Sequence, residues 1–210
     1  MKVKNEIFYH CRRQNLLNSN WEIGNVIKFS KDQENYYFSS LKDCILDLKN
    51  SLTNINIDSK IGKVAEMIHH EDFDKNRREK QIIINNSQFY IDQINDYFKK
   101  TIKLQQELIF EYVRKEINPH LPSRQSCIWV TNTVMDGYKW SELFNCPNIL
   151  KLKLNGEVHK TNGKFIDINQ NNDLYTARVN AEEYWRGEDN SGDEIEFLFE
   201  GEIEIVDFLK

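Results

Sequence analysis

Residues 193–206, DEIEFLFEGEIEIV, alternate carboxylates with large apolar side chains. Glu194, Glu196, Glu200, Glu202 and Glu204 take the even positions, and Ile195, Phe197, Phe199, Ile203 and Ile205 the odd ones. An extended chain points alternate side chains to opposite faces. The stretch therefore reads as strand with one face in a core, and Gly201 predicts a break between two strands. Like charges two residues apart on one face repel across only about 7 Å. A strand that needs solubility alone mixes Lys with Glu. The carboxylate surplus asks for a second role, which the rest of the chain must supply.

The chain has 210 residues, of which 40% are apolar and 12% aromatic. It can bury one sizeable core, or one core with an inserted subdomain, and its composition is not that of a disordered chain. A net charge of −5 gives no general attraction to nucleic acid, so such binding must rely on a local basic patch. The opening MKVKNEIFYH lacks the apolar run of a signal peptide, and no segment approaches the roughly 18 apolar residues of a membrane span. Cys11, Cys44, Cys127 and Cys146 are scattered without a CxxC pair, which fits reduced thiols and offers no zinc site. The expectation is a cytoplasmic protein with no metal and no membrane partner.

Along the chain, residues 6–12 form a first strand, followed by a short irregular element and another short strand before residue 30. Ser40 and Asp43 have capping-box spacing, and Leu41, Cys44, Ile45, Leu48 and Leu52 recur at helical intervals, predicting a helix of about three turns. A loop over 54–59, a short helix over 62–69 and a charged run over 71–80 come next. Residues 89–118 are the longest periodic segment. Ile91, Ile94, Phe98, Ile102, Ile109, Tyr112, Val113 and Ile117 form one apolar stripe, and Pro119 stops the helix. Almost everything after it reads as strand: 126–131, then 148–154 turning at Asn155-Gly156, then 165–168 after a turn at Asn162-Gly163. Helices at 135–144 and 173–186 interrupt the pattern, the second with Leu174, Ala177, Ala181, Tyr184 and Trp185 on one face. The fold class is α+β: a single domain over 1–210, with 39–118 as a mainly helical insertion.

Few residues carry chemistry by themselves. His69-His70 precede Glu71 and Asp72, but adjacent helical residues diverge by about 100° and no HExxH spacing occurs. His120 lies at a helix end and His159 beside a predicted turn, where it is expected to be exposed. His10 lies inside an aromatic strand ahead of Arg12 and Arg13. Ser123, Arg124 and Ser126 enter the strand that carries Trp129. The order of these features is informative: aromatic-His near the start, Ser-Arg-x-x-Ser-x-x-aromatic in the middle, Glu-x-Glu-apolar near the end.

That layout resembles the ADP-ribosyltransferase superfamily, in which three separated strands contribute an Arg or His, a Ser or Tyr, and a Glu. Tyr9-His10 matches the first motif, Ser126-Cys-Ile-Trp-Val-Thr131 the second, and Glu194-Ile-Glu196-Phe-Leu-Phe the third. YHCRR, PSRxxS, the YW-containing helix and the EFLFEG ending look like an uncharacterised bacterial group within that superfamily. The resemblance covers residues 5–30 and 119–208 and leaves the helical block unexplained. Trp129 stands where one branch has Tyr and another a Ser-Thr-Ser run, with Ser126 the competing candidate. His in place of Arg is accepted in the branch that includes the poly-ADP-ribose polymerases.

The resemblance implies a split β-sheet core and transfer of ADP-ribose from NAD, as substrate, to a macromolecular acceptor: RNA, DNA or protein, with nucleic acid slightly favoured. Glu196 would stabilise the positive charge that develops on the ribose, and Glu194 would orient or deprotonate the acceptor. His10, Arg12, Ser126, Trp129 and Thr131 would contact NAD, with Trp129 stacked on nicotinamide. Arg12, Arg13, Arg124 and the basic run 75–80 would allow local phosphate contacts. A toxin of a toxin–antitoxin or phage-defence system, with an antitoxin protein as partner, is the implied setting. The alternative is a non-catalytic NAD- or nucleic-acid-binding module of the same fold. Glu200, Glu202 and Glu204 are left as a solvated strand face.

Overall fold

The computed structural model describes residues 1–13, 16–53, 77–167, 173–187 and 194–209. Its elements are β1 (Lys2–Arg12), β2 (Val26–Phe29), α1 (Tyr36–Thr53), α2 (Arg77–Ile117), β3 (Ile128–Val130), α3 (Val134–Phe144), β4 (Asn148–Asn162), α4 (Leu174–Arg186) and β5 (Ile195–Leu209). The protein is α+β, and the described residues form a five-stranded antiparallel sheet and four α-helices. The loop expected at 54–59, the helix expected at 62–69, His69-His70 and the charged residues 71–76 lie outside the described residues, as does the loop 188–193.

The chain divides into two compact units. One comprises Met1–Ser39 and Gln105–Lys210; the other is Ser40–Leu104. In the first unit the strand order is β1-β4-β5-β2, and β3 also pairs with β5, along Phe197–Phe199. β3 then leads back to β1. Tyr9 and Thr131 exchange two main-chain hydrogen bonds of 2.8 Å, so β1, β4, β5 and β3 curl into a ring. Alternation then sorts the side chains. Phe197, Phe199, Ile203 and Ile205 of β5 join Leu150, Leu152 and Leu154 of β4, Phe8 of β1, Ile128 and Val130 of β3, and Trp21 in one buried cluster. Leu198, on the opposite face of β5, packs with Cys127, Phe110 and Val113 of α2, and Ala181, Tyr184 and Trp185 of α4. That second cluster carries the polar site described below.

Several expectations change at this level. β5 is one continuous strand and does not break at Gly201, and β4 runs through Asn155-Gly156 without turning. Gly156 and Gly201 face each other in the ladder. A Cβ on Gly156 would stand 2.2 Å from the Glu200 carbonyl oxygen, and one on Gly201 2.4 Å from that of Asn155. Gly201 also has φ of +142°, a region open almost only to glycine. The two glycines mark a close approach of the two backbones. Residues 163–166 form a 3₁₀ turn capped by the Asn162 side chain, not a strand, because Asn162 accepts from Lys164 N.

Helix ends and faces differ too. α1 starts at Tyr36, and its cap is Asn35, whose Oδ1 accepts from Phe38 N at 2.9 Å; Ser40 is interior to the helix. α2 starts at Arg77 and has 41 residues. Its apolar stripe is mostly not the buried face. Ile91, Ile94, Phe98, Ile102, Tyr112 and Ile117 are exposed, and α2 buries Gln106, Glu107, Phe110, Glu111, Val113 and Arg114 instead. Of the stripe, Val113 is buried and Ile109 packs against the same cluster; Phe110, one residue and about 100° on from Ile109, extends the packed face beyond the expected one. In the unit Ser40–Leu104, Lys100 pairs with Asp96 at 2.8 Å across one helical turn. No helix among the described residues is long and apolar enough to cross a membrane.

Gly156→Ala or Gly201→Ala should each cost about 3 kcal/mol, because a Cβ meets main chain that cannot rotate away. Urea unfolding measures this, and Gly137→Ala, whose added Cβ meets nothing closer than 3.4 Å, is the control.

Candidate functional site

The acidic face of β5 is not uniform. Glu202 is exposed, and Glu204 pairs with Lys153 at the surface. Glu196 and Glu200, two residues to either side of the buried Leu198, lie under the helices. Glu200 is the clearest departure from expectation: it is 9% exposed, and its Oε1 accepts from Ser123 N at 3.0 Å and Ser126 Oγ at 2.6 Å. A solvated reading fails here because the loop entering β3 folds over that end of the strand.

Glu196 belongs to a cluster built around Arg124. The guanidinium, 5% exposed as a residue, forks onto Glu107 of α2, with Nε to Oε2 at 2.9 Å and Nη2 to Oε1 at 3.0 Å. Its Nη1 donates to Tyr184 Oη at 2.6 Å and Glu196 Oε2 at 3.1 Å. Tyr184 in turn donates to the same Oε2 at 2.9 Å. Tyr37 donates to Glu107 Oε1 at 3.2 Å and meets Trp129 edge-on with ring centroids 5.6 Å apart. Glu107 is 1% exposed at its side chain and Glu196 20%. Oε1 of Glu196 makes no hydrogen bond among the described residues and lies near Gly163, where an added Cβ would sit 3.3 Å from it. The site is thus a planar cation flanked by two carboxylates, with only Glu196 open to solvent.

Electrostatics hold Arg124 charged and Tyr184 protonated. Burial pulls the Arg124 guanidinium down, but the Glu107 charge, followed by Tyr184 and Glu196, outweighs this and holds it well above its ordinary value. Burial pushes the Tyr184 phenol far up, so it remains a donor. One positive and two negative charges leave the cluster with a surplus negative charge.

A separate network ends α2. Glu111 is bidentate to Arg114 at 2.7 and 2.9 Å and accepts from Ser123 Oγ at 2.7 Å. Arg114 also reaches the carbonyls of Pro119 and Leu121, each at 2.8 Å. This network anchors the turn after the helix.

The sequence-chosen residues do not gather in one place. Glu196 and Trp129 share the Arg124 cluster; Arg124 lies 5.4 Å above the Trp129 ring. Ser126 donates to Glu200, and Thr131 is buried with its hydroxyl on the Thr133 carbonyl. His10 and Arg12 gather around Trp21, with His10 stacked at 5.8 Å and the Arg12 guanidinium 3.8 Å above the ring. His10 touches β3 through main chain only, Nδ1 to the Trp129 carbonyl at 2.8 Å, so it carries its proton on Nδ1. Its Nε2 is buried without a partner. Glu194 is exposed just before β5, and its carbonyl accepts from Gly163 N at 2.6 Å. Arg124, counted among the cations for phosphate, is fully engaged with protein groups and cannot serve in that way.

Glu107 and Tyr37 escaped the sequence reading, which placed Tyr184 on a helical face without a polar role. The signal for Glu107 was the spacing Glu107, Glu111, Arg114, which places charges along one helical face that also contains Phe110. His159, expected to be exposed, is 8% exposed and stacks on Trp185 at 5.4 Å, because β4 continues under α4. Among the described residues no group of His, Cys, Asp and Glu is arranged to hold a metal.

Fold and site together define a class: an α+β protein with a curled antiparallel sheet and a Glu–Arg–Glu cluster that opens through one carboxylate. The chain belongs to the family described as "Protein of unknown function (DUF2441)", whose model matches residues 8–210. Among curated proteins, none matches it.

Arg124→Leu should destabilise the fold by about 3–5 kcal/mol, since it leaves Glu107 buried without its cation; chemical unfolding reads this directly. The buried rings predict a pH dependence. Burial lowers His10 to about 4, reinforced by Arg12 and opposed by its Trp129 bond. Burial likewise lowers His159 to about 4 against its Tyr184 bond. Both values lie below the ordinary 6.5, so on acidification the unfolded chain takes up protons that the native state refuses. Stability should be full above about pH 6.5, fall by up to about 3 kcal/mol per ring as pH drops towards 4, and level off below. His159→Gln should remove one ring's share of that slope in urea midpoints.

Proposed function

We propose that the protein is a mono-ADP-ribosyltransferase that transfers ADP-ribose from NAD to a macromolecular acceptor. The observation that carries the reading is Glu196: a half-buried carboxylate with Oε2 held by Arg124 and Tyr184 and Oε1 open, on the strand neighbouring Trp129. In the reaction the bond from the nicotinamide nitrogen to ribose C1′ breaks, and its electron pair leaves with nicotinamide. Positive charge develops on the sugar, and a nucleophile of the acceptor then bonds to C1′ and loses its proton. A carboxylate about 4 Å away at an effective dielectric near 20 stabilises that charge by about 4 kcal/mol, roughly a thousandfold in rate. The surplus negative charge of the cluster supports this role, because Arg124 is shared with Glu107 and does not cancel Glu196 alone.

In this reading Trp129, half-buried beside the cluster, offers its ring to nicotinamide. Glu194, exposed one residue before β5, meets the acceptor and takes its proton. His10 acts from behind β3, holding the Trp129 main chain in register. Nucleic acid is the acceptor class we favour, with protein as the other outcome of mass spectrometry on cells expressing the chain. A defence toxin with a protein antitoxin is the corresponding setting. Glu196→Gln preserves shape and removes the charge, so nicotinamide release from NAD should fall about a thousandfold while the unfolding midpoint changes little. Equal release by variant and wild type would remove Glu196 from the chemistry, and NAD binding without release by the wild type would favour a non-catalytic module.

A further inference from the structure

Glu107 is enclosed, at 1% exposure, and cannot itself touch a substrate. Yet it takes two of the four bonds that Arg124 makes in the cluster, through Nε and Nη2. Tyr37 fixes the same carboxylate from α1, bonding Oε1. Arg124 therefore reaches Glu196 with Nη1 only, a donor it also offers to Tyr184. An Arg facing Glu196 alone would form a neutral pair and cancel most of the field at the opening. Two carboxylates around one guanidinium leave a negative charge, and the exposed member of the three is Glu196.

We propose that Glu107 is a positioning residue: by occupying the fork of Arg124 it keeps the guanidinium from neutralising Glu196 and leaves Oε1 as the oxygen that meets the ribose. This rests on the transferase reading above. It assigns a function to a buried carboxylate on α2, and it separates Glu107 from Glu111. The latter lies one turn further along the same helix, also buried, but is bonded to Arg114 and Ser123. Glu111 holds the turn after α2, and its charge is matched by its own arginine.

Steady-state nicotinamide release from NAD by wild type, Glu107→Gln, Glu111→Gln and Tyr184→Phe tests this, with an unfolding midpoint for each. Glu107→Gln should lower kcat about tenfold or more with KM within about twofold. Glu111→Gln should lower the midpoint and leave kcat near wild type, the pattern of a purely structural carboxylate. Tyr184→Phe removes one donor to Glu196 Oε2 without burying a charge, and should also lower kcat at unchanged KM. If Glu107→Gln does not fold, Tyr184→Phe decides: full kcat overturns the inference. Folded Glu107→Gln with full kcat overturns it too, as does an equal loss of kcat in Glu107→Gln and Glu111→Gln. A wild type that releases no nicotinamide overturns the transferase reading and this inference with it, whereas an active wild type isolates the role of Glu107.

Discussion

The Glu107–Arg124–Glu196 cluster is the interaction on which the functional part of the molecule depends. It joins α2, the loop before β3 and β5 through one guanidinium, and Tyr184 brings in α4. A buried charge trio is costly to assemble, since each ion loses its water. What makes it tenable is satisfaction: Arg124 bonds through Nε, Nη1 and Nη2, and both phenols donate to carboxylates. An apolar cluster with Leu198, Phe110, Tyr184 and Trp185 adjoins it, and Arg124 and Glu107 are almost wholly shielded from solvent. Breaking one partner leaves the others exposed to the full desolvation penalty, so these elements stand or fall together.

The curled sheet explains why the cluster sits where it does. β5 turns one parity of side chains into the ring of strands and the other towards α2 and α4. The paired glycines Gly156 and Gly201 let β4 and β5 approach closely, and the acidic parity divides there. On one side Glu196 and Glu200 lie beneath helices; on the other Glu202 and Glu204 meet water and Lys153. A single sequence pattern thus serves two purposes because the strand crosses from covered to open sheet.

Much of this was legible in the residues. The alternation over 193–206 predicts a strand with a carboxylate face, and Ala177, Ala181, Tyr184 and Trp185 mark the buried face of α4 correctly. Asn155-Gly156 and Gly201 misled for one reason. Local turn chemistry cannot reveal that two glycines pair across strands 45 residues apart in sequence and stand in for a close backbone approach. The apolar stripe of α2 misled for another. Periodicity identifies an amphipathic helix but does not say which face the sheet will take, and here a charged face with Phe110 and Val113 is packed because Arg124 and Ser123 supply its partners. The role of Glu107 was hidden for the same reason: its spacing with Glu111 and Arg114 marks a charged face, but its partner Arg124 becomes a neighbour only through the fold.

The most direct measurement of the central claim is a crystal structure of the protein with a non-hydrolysable NAD analogue. The account predicts the nicotinamide-proximal ribose within hydrogen-bond distance of Glu196 Oε1, the nicotinamide against Trp129, and the Arg124 fork on Glu107 unchanged. An analogue bound away from Glu196, or an Arg124 that leaves Glu107 to take up the diphosphate, would contradict it.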